Sequence, residues 1–93
     1  MDWDICNEGV IQNVYKHRTT SRDPVLVTDP KPISDDFAVL INKQKGVEVI
    51  VKINAITGKN YSGEVVTVRL GDPRLETEKA TFSLEHIDTL IRM

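Results

Sequence analysis

The chain is predicted to be mainly β: an N-terminal extension with short strands over residues 1–33, then one α-helix and a strongly bent five-stranded antiparallel barrel over residues 34–93. Three observations carry this. Residues 47–56 alternate, with Val47, Val49, Val51, Ile53 and Ala55 on one face and Glu48, Ile50, Lys52, Asn54 and Ile56 on the other, which is the period of a half-buried strand. Thr57-Gly58-Lys59-Asn60 interrupts the run with turn residues, Gly58 being able to take a positive φ at no steric cost. Gly63 then falls inside the return run from Tyr61 to about Leu70, where a glycine marks a sharp bend or a close approach of two backbones.

In chain order, the extension holds VIQNVYKHR, the polar run TTSRD, PVLVTD and Pro30-Lys31-Pro32. Val10, Val14 and Val25–Val27 favour two short extended segments around a loop. A helix competes, because Trp3, Cys6, Val10 and Val14 also recur at helical spacing. Gly9 inside it would cost about 1 kcal/mol. Pro30 and Pro32 cannot donate to a ladder, so they mark a linker or edge segment.

From Ser34 a helix of about three turns is expected. Ser34 is a candidate N-cap, and Asp35 and Asp36 put negative charge at the positive end of the helix dipole. Phe37, Leu40, Ile41 and Gln44 follow the i, i+3, i+4, i+7 pattern, and Gly46 would supply the left-handed cap. On that helix Phe37 and Leu40 would pack against the first strand. Beyond the Tyr61–Leu70 strand, Gly71-Asp72-Pro73 breaks the ladder. Residues 74–78 are polar and turn-like, KATFSL (residues 79–84) alternates again, Glu85-His86 turns a corner, and Ile87–Arg92 forms the last strand.

Composition bounds the function. With 93 residues a core hides only about 60% of the unfolded chain's surface, so a partner that adds burial would be welcome. A formal net charge of −2 lacks the footprint of a general duplex-DNA binder. No run approaches the roughly 18 apolar residues of a membrane span. The start MDWDICNEG is acidic where a secretory leader would be basic, so a cytoplasmic protein with no membrane partner is expected. One cysteine, Cys6, can form no internal disulfide and reads as a small buried apolar residue. His17 and His86 have no second ligand at metal spacing. Thr57-Gly58-Lys59 lacks the upstream glycine and the strand-to-helix setting of a phosphate loop. No nucleophile–base pair or apolar carboxylate pair can be assembled. Neither a cofactor, a metal nor an enzymatic activity is expected.

The stretch GVEVIVKINAITGKNYSGEVVTV resembles the first motif of the Sm-like (LSm) family: a β-branched strand, a glycine turn at Gly58, Tyr61, Gly63, and an apolar pair ending near Val68. The resemblance covers residues 34–92. Src-homology-like (SH3-like) and other small barrels share the pattern, so a barrel adaptor for a peptide or protein complex stands as the alternative. The Sm-like resemblance implies a short helix on a bent five-stranded barrel, and assembly into a homo-oligomeric ring of five to seven subunits. It also implies single-stranded RNA as a partner, with another protein as the alternative. The family's RNA-reading residues are missing, however. Arg69 stands where an aspartate is usual, Pro73 where an asparagine is, and Leu84-Glu85-His86-Ile87 replaces the Arg-Gly corner.

Two candidate surfaces follow. For nucleic acid they are Tyr15, Lys16 and Arg18, an aromatic among cations that can stack a base while holding phosphate, together with Arg69 at the inherited loop. The plain alternative for Tyr15 is an ordinary edge strand. For self-assembly the candidates are Ala80, Phe82 and Leu84 of the penultimate strand and Ile87, Thr89 and Ile91 of the last. Both segments read as apolar edges with few charged guards, and such edges invite another chain.

Overall fold

The structure, a computed structural model, describes residues 2–9, 11, 14–16, 25–26 and 31–92, the backbone alone at 14–16 and 25–26. Its strands are β1 (Val14–Lys16), β2 (Val25–Leu26), β3 (Phe37–Asn42), β4 (Val47–Thr57), β5 (Asn60–Leu70), β6 (Lys79–Ser83) and β7 (Thr89–Arg92). They form one sheet in the order β2-β1-β7-β3-β4-β5-β6. From β7 to β6 all neighbours are antiparallel. β1 then joins β7 in parallel, and β2 pairs antiparallel with β1. The mainly β reading and the two short strands of the extension therefore hold. The expected closed barrel does not form, because the sheet stays open with β6 at one end and β2 at the other.

Alternation places the core as predicted. Val47, Val49, Val51 and Ile53 of β4 are buried, with Leu40, Val65, Phe82, Ile87 and Leu90 in the same cluster. The bend comes from register shifts between Glu48/Val49, Ile50/Val51 and Ile53/Ala55 against β5, since each unpaired residue kinks the strand that carries it. Gly63 sits at this corner. A Cβ there would lie 2.0 Å from the Lys52 carbonyl oxygen, so only glycine lets the two backbones approach. The β4–β5 turn uses Gly58 at φ 60°, again as expected.

The helix expected from Ser34 is the main error. Residues 37–42 form β3, hydrogen-bonded to β4 on one side and β7 on the other. FAVLI is a continuous apolar run, and a strand covered on both faces needs no polar one: the consecutive residues Ala38, Val39 and Leu40 are all buried. Leu40 is fully buried, whereas Phe37, opposite Ile91, is only half-buried. Ser34-Asp35-Asp36 is a joint and no helix cap. Asp35 donates its N–H to Ile53 O at 2.8 Å, Ile53 returns an N–H to Asp36 O at 2.8 Å, and Asp35 sits at φ 76°. Two residues thus oppose one, with the first in the left-handed region, the G1 type of bulge. The Asp36 carboxylate is buried (2% exposed) and accepts from Arg92 Nε at 3.0 Å, Arg92 Nη2 at 2.9 Å and Ile33 N–H at 3.0 Å. This ion pair ties the end of β7 to the start of β3. Gly46 has φ 65°, but it closes the turn between β3 and β4 by donating to Lys43 O at 3.2 Å.

Residues 2–9 form an extended strap with no helix, which settles the Trp3–Cys6 spacing. Asp4 donates its N–H to Ile41 O at 2.8 Å, and Lys43 N–H bonds Asp4 Oδ2 at 2.9 Å. Farther along, Asn7 Nδ2 donates to Leu84 O and Ile87 O, both at 2.8 Å. Trp3 packs on the core from this strap, and Ile11 is buried within it. Val10 lies outside the described residues. No helix among the described residues is long and apolar enough to cross a membrane.

Candidate functional site: the free edge of β6

β6 begins at a second two-against-one joint. Thr77 donates its N–H to Val65 O at 2.8 Å, and Val65 donates to Glu78 O at 2.9 Å. Thr77 has φ 74°. A β-branched residue is strained there, by roughly 1–2 kcal/mol. Downstream, β6 runs in register with β5 from Glu64↔Lys79 to Asn60↔Ser83. Backbone groups alternate between the two sides of an antiparallel strand. Counting from the Val65–Glu78 bond, Ala80 and Phe82 bond toward β5, and Lys79 and Thr81 turn their N–H and C=O away from it. Ser83 agrees with this count, since its N–H donates outward to His86 Nδ1 at 3.0 Å. His86 caps the end of the edge.

Behind this edge lies a cleft of about 350 Å³ lined by Trp3, Val49, Val65, Leu75 and Ala80, with Glu78, Lys79 and Thr81 on its polar side. β4 and β5 contribute Val49 and Val65 of their core rows, the 3₁₀ turn Pro73–Leu75 carries in Leu75, and the cleft is half apolar and half polar. At the other end of β6 a groove of about 490 Å³ is bordered by Tyr61, Leu84, Lys59 and Glu85. Tyr61 stacks on Phe82 there, with centroids 5.9 Å apart. A cleft with an apolar side, rimmed by outward-facing backbone groups, can hold an extended chain: the rim supplies hydrogen bonds and the cleft takes every second side chain.

The nucleic-acid candidates are not brought together. Tyr15 and Lys16 lie on β1, beside Ile91 and Arg92 of β7. Arg69 is on β5, with β7, β3 and β4 between. Its Nε pairs with Glu48 Oε2 at 3.1 Å. Arg18 and His17 lie outside the described residues.

The self-assembly candidates divide. Ala80, Phe82 and Ile87 are buried in their own core, Leu84 packs against it, and Thr89 and Ile91 are half-buried on β7. β7 itself is no edge, because β3 and β1 take its two sides. β6 does present one. Sequence reasoning found that strand but passed over Trp3, Leu75 and His86 as parts of its surroundings. Leu75, the one apolar residue in the polar run 74–78, was the available signal.

Cys6 is partly buried, with Sγ 3.6 Å from Asp4 O. Burial pushes its thiol above the usual range, and the nearby Asp88 and Asp4 carboxylates add to this while Lys43 opposes it. Among the described residues no group of His, Cys, Asp and Glu is arranged to hold a metal ion. Compared with protein-family models, curated proteins and solved structures, the chain matches none.

Proposed function

We propose that the protein is a non-enzymatic binding module that captures an extended protein segment as an added strand on β6. The observation that carries this is the pair Lys79 and Thr81, whose outward backbone groups bond to none of the described residues, on an edge backed by a cleft with an apolar side. Exposed edges are templates for another strand. This corresponds to the adaptor alternative raised by the sequence. An Sm-like ring would instead join β6 of one copy to β7 of the next, and β1 would first have to leave that side of β7. RNA capture is less favoured, since Arg69 is engaged by Glu48 and the net charge is −2.

Panning a random peptide library on the protein and on Thr81→Pro tests the proposal. Proline on an edge strand with its N–H side outward is tolerated by the fold but cannot donate. Selected peptides should bind the parent and not the variant, with both melting alike. Equal binding to both would sink the β6 site. Light scattering should find a 10.5 kDa species at micromolar concentration, and a species five to seven times heavier would restore the ring.

A further inference from the structure

The charges around β6 point to the chemistry of its partner. Glu76 and Glu78 are exposed at the start of the strand and Glu85 at its end. Lys79 lies directly opposite Glu64 on β5, and its side chain also borders the cleft. Among the described residues, Glu64, Glu76, Glu78 and Glu85 near the edge outnumber its two ammonium groups, Lys79 in the wall of the cleft and Lys59 at the far groove. The surroundings of the cleft are therefore acidic. A second copy of this chain would bring the same carboxylates to the contact, which disfavours edge-to-edge pairing of two β6 strands.

Resting on the strand-capture reading, we infer that the captured segment is basic, and that its cation follows two apolar residues in the order apolar–x–apolar–x–Lys/Arg. A strand antiparallel to β6 runs from Ser83 toward Lys79. Its first inward residue faces Phe82, near the groove bordered by Tyr61 and Leu84. The next inward residue, two positions on, faces Ala80 and enters the cleft beside Trp3. Two further on, the residue faces Glu78, which borders that cleft and attracts a cation. The intervening residues face Thr81 and Lys79, so the second of them is polar or acidic. Opposite charges directly across strands stabilise, and like charges repel.

Trp3, the only tryptophan in the chain, reports occupancy of the cleft by its emission. The probes are the end-capped peptide Ser-Thr-Leu-Thr-Leu-Thr-Lys-Ser and its counterpart with glutamate in place of lysine. The lysine peptide should bind about five- to tenfold more tightly at low salt. The gap should narrow as ionic strength rises, and it should vanish in Glu78→Gln, whose exposed side chain carries no fold. Equal affinities for the two peptides on the parent protein would overturn the charge inference and leave strand capture standing. No response to either peptide, or responses unchanged in Thr81→Pro, would overturn both.

Discussion

The two G1-type joints of this fold are built alike and differ in what surrounds them. At Asp35-Asp36 the left-handed residue is an aspartate, whose short polar side chain is tolerated there, and the next residue is a buried carboxylate held by Arg92. At Thr77-Glu78 the left-handed residue is β-branched, and the next is exposed. The first joint locks β7 onto β3 in the interior of the sheet. The second delivers a strand to the open edge. One backbone device thus serves permanence in one place and accessibility in the other, and the side chain at its second position separates the two uses.

Four substitutions test that contrast. The largest effect is expected from Asp36→Ala, which strands Arg92 and the Ile33 amide and should lower stability by about 3 kcal/mol in urea unfolding. Glu78→Ala, the equivalent change at the open joint, should stay within about 0.5 kcal/mol. Equal losses would erase the distinction. Next is Thr77→Gly, which relieves the strained conformation and should raise stability by about 1 kcal/mol. Asp35→Gly should shift the urea midpoint much less. A destabilised Thr77→Gly would mean that the threonine side chain makes a contact outweighing its strain.

The smallest effect compares the strap with the exposed edge. The Cys6 thiol is raised by burial and by Asp88 and Asp4, so iodoacetamide should modify it more slowly in the folded protein than in urea. The sign follows for stability as well. The unfolded thiol ionises first as pH rises, so the small advantage present below its ordinary range is lost above it. Equal alkylation rates would place the thiol in open solvent.

Much of this was legible in the residues. The Val47–Ile53 alternation, the Gly58 turn and the Gly63 corner are local statements, in which period or steric necessity speaks for itself. FAVLIN was not legible, because a short apolar run fits both helix and strand until its neighbours are known. Asp35 and Asp36 made the wrong choice attractive, since an acidic pair before an apolar run is also how a helix begins. Their partner, Arg92, lies 56 residues farther along, and no local pattern announces it. The edge character of β6 was foreseen. That β7 is not an edge depends on Val14–Lys16, a strand of three residues whose pairing leaves no periodic trace.

The position of β7 has a kinetic consequence. It lies between β1 and β3, so one of the last segments to be synthesised among the described residues becomes an interior member of the sheet. Pairings of such wide sequence separation form slowly, on the millisecond-to-second scale typical of all-β domains. Until β7 arrives, one side of β3 and the apolar surface that Ile87 and Leu90 will cover stay exposed. Apolar surface left open over such an interval is where a folding chain is prone to aggregate.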